Sequence, residues 1–460
     1  MKHLLLLGLL TCASVAAQNV TQSIYIDFGD VKADRGRLTE GADNNGHYWN
    51  NVKSSGNNYV YPGPSSTVKL VNSENNSTGY SVVVNHRFMT NGKSAGGLMT
   101  PSAELLGDLA IETATEDYLF MEDFQDYNSF TFTGLDSNKA YRFNAFGSRS
   151  NTQTRIGNYS FRGLNEWNTN HQMSGSGCGA NGYNGNNNNI AISDPIFPDE
   201  NGCITFTIRR VQNMCHINTL KIEELSGVKR PESPYTLTQT MYIDFGENID
   251  NSANRGHGHL TEGADQFGHY WNNICSTTGD KIPANSSYTL INSANQATKI
   301  IATVNAEVAT NGLAVAGGLE NPSEENLRDL AVPTATEDYF YVTQGKELSI
   351  VFAGVDPNKV YRVHSFGSRA TNDGDQRWGY VRLEGSNDWK TRQDYSGRTI
   401  GGRDASGKDI HGNIRNIAVS DYITPTPDGK LTFTVEQVNG FSHLNALKLE
   451  EFSSKSTPKQ

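Results

Sequence analysis

Short runs in which apolar and polar positions alternate recur along the chain. They are SIYIDFG from Ser23, YSVVVNH from Tyr80, SFTFTGL from Ser129, AYRFNAFG from Ala140, CITFTIRR from Cys203 and INTLKIEEL from Ile217. β-Branched and aromatic residues fill their apolar positions, and Gly, Asn, Asp or Pro bound them, which is the pattern of half-buried strands. PDENG at Pro198 and PDGK at Pro427 read as hairpin turns leading into a strand. Helical signals are confined to PSAELLGDLAI from Pro101 and its relative PSEENLRDLAV from Pro322. There Pro and Ser precede acidic residues, so one or two turns are predicted.

The pattern is written twice. TMYIDFG at Thr240 repeats SIYIDFG, DLAVPTATEDYFY at Asp329 repeats DLAIETATEDYLF at Asp108, and HLNALKLEE at His443 repeats HINTLKIEE at His216. GVDPNKVYRVHSFGSRA at Gly354 repeats GLDSNKAYRFNAFGSRS at Gly134, and TNGLAVAGGL at Thr310 repeats TNGKSAGGL at Thr90. The closest pair is TEGADNNGHYWNN at Thr39 and TEGADQFGHYWNN at Thr261, which differ only where Asn44 and Asn45 become Gln266 and Phe267. An offset of about 220 residues throughout, with small drift, means one fold used twice with short loop insertions. The expected class is therefore all-β: two tandem antiparallel β-sandwich, jelly-roll-like domains related by internal duplication. Residues 18–225 and 240–453 are the expected repeats, 226–239 a linker stiffened by Pro231 and Pro234, and 454–460 a tail.

Composition narrows the setting. A net charge of −11 argues against a nucleic-acid partner, which would need clustered basic residues. The 45 glycines and 39 Tyr and Phe residues (20 and 19) suit a β-rich extracellular protein. MKHLLLLGLLTCASVAAQ has a short basic start, an apolar run and a small-residue cleavage site, so 1–17 are expected to be a signal peptide. Cys12 raises a lipid anchor as an alternative, but Thr11 before it fits a lipobox poorly. No stretch reads as membrane-spanning, and the expected location is secreted, periplasmic or cell-surface. Beyond the leader stand Cys178, Cys203, Cys215 and Cys275. The second repeat has Lys430 and Ser442 where the first has Cys203 and Cys215, so the architecture cannot depend on those thiols. One disulfide among the three cysteines of the first repeat is plausible in an oxidising compartment. No zinc spacing occurs.

The series YIDFG, WNN, TATEDY, FGSR and a closing LNALK resembles malectin-like or galactose-binding-like β-sandwich modules of secreted Bacteroidetes-type carbohydrate-active proteins. The resemblance covers essentially the whole mature chain, twice. It implies association with a polysaccharide or glycan, without a defined specificity.

Several residues are candidates for chemistry, each with a structural alternative. Trp49 and Trp271 offer flat faces of the kind that stack on a pyranose, flanked by Asn50, Asn51, Asn272 and Asn273 for sugar hydroxyls. The alternative makes each indole a core plug anchoring a long loop. Trp167 and Trp389 also recur and are lesser candidates. Arg149 and Arg369 close the FGSR motif, and Arg155 and Arg377 follow a loop later. Their donor forks either grip sugar hydroxyls or a uronate carboxylate, or hold loops through salt bridges. Glu116–Asp117 and Glu337–Asp338 are adjacent carboxylates that, on one strand, would face opposite ways and so could not form a glycosidase pair. One of them could still join Asp27 or Asp244 in a cleft, pair with an arginine or hold a structural calcium; no other cofactor is implied. His257, His259 and His269 crowd one loop, where solvated histidines compete with a metal site. Ser94 in GKSAG matches a nucleophile elbow, but the setting is not an α/β sheet, and the second copy lacks the serine.

Three functions remain. The first is a secreted, non-catalytic carbohydrate-binding protein with two tandem modules acting on a complex polysaccharide. The second is a polysaccharide-degrading lyase, glycosidase or esterase with its site on a sandwich face. The third is a surface structural or adhesion protein. No catalytic constellation recurs in both copies, which leans against the enzyme.

Overall fold

The computed structural model describes residues 18–455, apart from positions 33, 55, 63–65, 123–124, 248–257, 277–279, 314–316, 371–373, 399, 405 and 407. The leader at 1–17 and His257 therefore lie outside the described residues. Each half is a β-sandwich with a small third sheet. In the first domain one face is a five-stranded sheet, in the order Ala191–Ile192, Ala140–Phe146, Thr219–Ser226, Asn19–Gly29, Trp49–Lys53. The opposing sheet has six strands, in the order Glu166–Ser174, Arg155–Arg162, Ile204–Gln212, Tyr127–Thr133, Ser77–Val84, Val68–Val71. The second domain repeats both orders strand for strand, from Trp271–Ser276 to Ala418–Val419 and from Ser286–Ile291 to Asp388–Ser396.

Alternation along the strands explains the layers. In Arg155–Arg162 the buried positions are Arg155, Gly157, Tyr159 and Phe161, whereas the residues between them face outward. Phe161 stacks on Phe206 of the neighbouring strand and, across the sandwich, on Phe143, each at 4.3 Å between ring centroids, and Phe130 stacks on Phe88 of the small sheet at 4.6 Å. Aromatic burial of this kind supplies much of a sandwich's stability. Helical turns fall where the sequence placed them, at Ala103–Leu106 and Glu324–Leu327, and a second turn, at Glu112–Thr115 and Pro333–Thr336, lies just beyond each predicted stretch. The strand that opens the second domain starts at Tyr235, inside the stretch expected to be linker, because its first residues pair with Phe452–Ser454.

One pairing is parallel in each domain. Trp49–Lys53 runs alongside Asn19–Gly29, with Tyr25 opposite Trp49, and Trp271–Ser276 runs alongside the strand Tyr235–Glu247. A parallel neighbour needs a crossover connection rather than a hairpin. Residues 30–48 form that crossover, and a buried acidic cluster beneath it holds them.

Asp27 Oδ2 accepts the Thr39 amide at 3.0 Å and the Thr39 hydroxyl at 2.9 Å. Asp117 Oδ2 accepts the Asp30 amide at 2.7 Å, and Gly29 and Gly36 have no Cβ to collide with its carboxyl. Asp27 and Asp117 are almost completely buried, and Oδ1 of each has no protein partner. Burial, then the charge of its neighbour Asp27, holds Asp117 well above the ordinary carboxylate range. Burial likewise raises Asp27. Two bare carboxylates in such a place would be very costly, so the pair keeps a proton at neutral pH. Asp244 and Asp338 rebuild the arrangement in the second domain, with Thr261, the Glu247 amide, Gly246 and Gly258 in the matching places.

The domains touch. Arg162 reaches Asp421 at 2.9 Å, Arg362 reaches Glu200 at 3.2 Å, and the buried Arg415 donates to the Val84 carbonyl. Exposed ion pairs of this kind contribute little each, and every domain has its own core. Residues 18–226 and 234–460, produced separately, should each melt cooperatively with β-type circular dichroism. An unfolded half would make the sandwiches one interlocked unit.

The acidic pairs carry their own pH dependence. A carboxyl raised in the folded state contributes most stability below its unfolded pKa of about 4 and loses it as pH rises through its folded value. That folded value is about 7 for Asp27 and about 8 for Asp244. Asp117→Asn keeps an acceptor for the Asp30 amide and adds a permanent donor toward Asp27. Its melting temperature should therefore gain on wild type between pH 5 and pH 8. Parallel melting curves for the two proteins across that range would contradict a shared proton.

Candidate functional site

The tryptophans are anchors rather than platforms. Trp49 is 6 % exposed and Trp271 4 %, so neither presents a face to a sugar ring. The Trp49 indole N–H donates to Asp43 Oδ2 at 2.8 Å and that of Trp271 to Asp265 Oδ2 at 2.7 Å. Asp43 Oδ1 also accepts the amides of Asn45 and His47, closing the turn in TEGADNNGHYWNN. Tyr25 packs between this turn and the sheet, 4.8 Å from the His47 ring and 5.0 Å from Trp49. The asparagines are spent on main chain. Asn50 ties the Tyr25 and Val71 carbonyls and the Val71 amide, and Asn272 does the same for Tyr242 and Ile291. Asn51 exchanges two hydrogen bonds with the Thr39 backbone, and Asn273 two with Thr261. The WNN motif therefore holds the crossover loop. Trp389 is also buried, and Trp167 packs against the first core.

Other expectations resolve in the same way. Glu116 ends a helical turn and Asp117 precedes the strand Tyr118–Phe120, so the premise that both lie on one strand fails. Glu116 instead takes Arg37 at 2.8 Å and Lys93 at 3.2 Å, and Glu337 takes His259 at 2.6 Å. His269 stacks on Tyr242 at 4.6 Å, and among the described residues no three potential metal ligands come together. Ser94 sits exposed on the single turn Lys93–Ala95. The four described cysteines, Cys178, Cys203, Cys215 and Cys275, are free. Cys203 and Cys215 flank opposite ends of the nine-residue strand Ile204–Gln212, about 30 Å of extended chain, too far for a bridge.

The arginines do converge. In the first domain Arg149 Nε donates to the Ala95 carbonyl at 2.9 Å, and the Tyr118 hydroxyl donates to the same oxygen at 3.1 Å. His216 packs edge-on against Tyr118 at 4.8 Å, and Arg155 Nη1 lies 3.4 Å from His216 Nε2. The second domain rebuilds the set with Arg369, Tyr339, His443 and Arg377, and His443 lies 4.8 Å from Tyr339. Arg377 is anchored to Ser396 and Asp375, each at 3.0 Å. Here, however, Arg369 Nε and the Tyr339 hydroxyl, both buried, have no partner among the described residues, and the counterpart of Ala95 falls within 314–316, outside them.

The Arg369 and Tyr339 side chains line a cavity of about 160 Å³ together with Asn311, Tyr341, Phe441 and His443. Burial pushes Tyr339 up to about 12, so its phenol stays a donor at neutral pH. Burial, then the charges of Arg369 and Arg377, holds His443 neutral. At the rim Phe441 is 37 % exposed and meets Tyr341 edge-on at 5.9 Å. The lining thus combines a guanidinium, a phenol, a positive field and an aromatic edge. In the first domain the Ala95 carbonyl occupies the acceptor position, and Met214 and Phe120 stand where Phe441 and Tyr341 do.

Of the residues singled out from sequence, Arg369 lines this pocket and Arg377 supplies charge beside it. Tyr339, His443 and Asn311 were passed over, although TATEDY, HLNALK and TNG recur in both copies. Recurrence was their signal, and strand patterning hid it.

No protein-family model and no curated protein matches the chain. Among solved structures it is similar to the extracellular domain of ANXUR1 from Arabidopsis thaliana, at 10% identity and a TM-score of 0.23 over 80% of this chain and 88% of that one. It is also similar to the tandem CBM22-1–CBM22-2 domain from Paenibacillus barcinonensis, at 8% identity and a TM-score of 0.18 over 81% and 93%. A third is beta-glucuronidase 2 from Bacteroides uniformis, at 13% identity and a TM-score of 0.23 over 70% of this chain and 27% of that one.

The buried indoles give a direct test. Asp43→Ala strands the Trp49 N–H and two turn amides, which should cost about 1–3 kcal/mol. It should lower the melting of the isolated first half, and Asp265→Ala should do the same to the second. Undiminished stability in both would return the tryptophans to the surface.

Proposed function

We propose that the protein is a secreted, non-catalytic glycan-binding protein whose second domain takes a uronate-bearing sugar at its end pocket. One observation carries the reading. The Arg369 and Tyr339 donors, whose counterparts Arg149 and Tyr118 converge on a main-chain oxygen, have no partner among the described residues and sit beside an exposed aromatic. A carboxylate oxygen fits that position, because a guanidinium and a phenol can bond it while Arg377 adds charge. Phe441 and Tyr341 would pack against the ring. The leader-like N-terminus supports export, and the chain's negative net charge leaves this local positive pocket as the place for an anion. The two modules are then unequal: the first closes its pocket with its own backbone, and the second binds.

A shallow site of this size should bind in the range of about 0.01–1 mM. Titration calorimetry with oligogalacturonate and with the neutral oligomer of the same length tests it. Wild type should prefer the uronate. Arg369→Gln should weaken that binding at least tenfold and Tyr339→Phe about five- to tenfold, whereas Arg149→Gln should leave it unchanged. Equal binding of charged and neutral oligomers, or an unaffected Arg369→Gln protein, would remove the pocket from the function. The open Tyr339 phenol beside Arg369 and Asn311 also favours a second reading, uronate β-elimination. An unsaturated-product assay on the same samples separates the two, because a binder yields no product.

A further inference from the structure

A larger cavity lies elsewhere, between the domains. It has a volume of about 460 Å³, within the range of about 300–1,000 Å³ typical of small-molecule sites. His86, Asp126 and Tyr127 line it from the first domain, and Trp378, Arg392 and Asp394 from the second. We propose that this interdomain cleft binds a neutral sugar residue of a glycan chain, with both domains contributing contacts.

Three observations carry the proposal. First, the charges are already paired: Arg392 reaches Asp126 at 3.1 Å and Asp394 at 2.7 Å, and Arg210 reaches Asp126 at 3.4 Å. A uronate would compete here with carboxylates that already hold these guanidiniums. Second, the wall is hydroxyl-complementary. Gln125, Gln376 and Asn439 add amides, which can both donate and accept. His86 is 5 % exposed, its Nδ1 lies 3.2 Å from the Ser129 hydroxyl, and its Nε2 has no partner. His86 thus contributes a buried ring to the wall, edge-on to Tyr127 at 5.0 Å. Third, aromatic surface is present: Trp378 is partly exposed and braced by Arg392, 4.1 Å from the ring centroid, while Tyr127 lies across the cleft with its hydroxyl on Asp394 at 3.3 Å. Aromatic rings beside amides suit the apolar face and equatorial hydroxyls of a pyranose, and not a lipid or a nucleotide phosphate.

The cleft shares its ligand class with the proposed function but not its residues, so the two can fail separately. Cellohexaose, xylohexaose, mannohexaose and laminarihexaose are titrated into the full chain, and oligogalacturonate serves as the end-pocket control. At least one neutral hexasaccharide should bind wild type and the Arg369→Gln protein equally, and Trp378→Ala should weaken it at least tenfold while sparing oligogalacturonate. Hydrogen exchange on wild type reads the site without a mutation: the bound hexasaccharide should protect 125–127 and 376–378 together. Absence of binding by all four, protection confined to one domain, or an undiminished Trp378→Ala protein would overturn the proposal.

Discussion

A pair of buried carboxyls that ties the crossover loop to the sheet organises each half of this molecule. Asp27 and Asp117 come from opposite ends of the local fold, one on the central strand Asn19–Gly29 and the other just before Tyr118–Phe120. Asp27 fixes Thr39, and Asp117 fixes the Asp30 amide, so the crossover loop is tied at both ends to one acidic node. Glycine at 29 and 36 is a steric necessity there, since any side chain would occupy the Asp117 carboxyl. Buried ionisable groups are a costly way to hold a loop, and they hold it in one geometry.

The candidate site inherits that geometry. Tyr339 follows Asp338 directly, and the Asn445 side chain donates to the carbonyls of Thr336 and Asp338 at 2.9 and 2.7 Å. The strand Tyr339–Val342 that presents the phenol also pairs with Ser442–Leu444, which presents His443. A binding phenol one residue from the acidic node can therefore be buried and still precisely aimed, because its backbone has no freedom to turn away. In the first domain the same strand and histidine are present, and a single carbonyl oxygen decides that the donors are already satisfied. Duplication thus supplied one scaffold for both pockets.

Much of the fold was legible in the chain. Alternation of period two gave the strands, and the repeat gave two domains of one architecture, because side-chain direction along a strand is a local property. Charge and composition pointed away from nucleic acid for similarly local reasons. The functional residues were only partly legible. Arg369 and Arg377 stood out because a guanidinium in a repeated motif invites a partner. Trp49 and Trp271 misled, because a flat aromatic in a polar loop is spelled alike whether it faces a ligand or plugs a core.

What the sequence determined by itself was therefore periodic or compositional: strand positions, duplication, the short helical turns and the pool of candidate side chains. The tertiary structure decided which of those side chains are already satisfied. Asp43 claims one indole and Asp265 the other, Glu116 claims Arg37, and the Ala95 carbonyl claims Arg149 and Tyr118, whereas Arg369 Nε and the Tyr339 hydroxyl have no partner among the described residues. A hydrogen bond between residues as far apart as 95 and 149 depends on where folding brings the backbone. No local pattern encodes that, and so the difference between a staple and a binding site appears only in three dimensions.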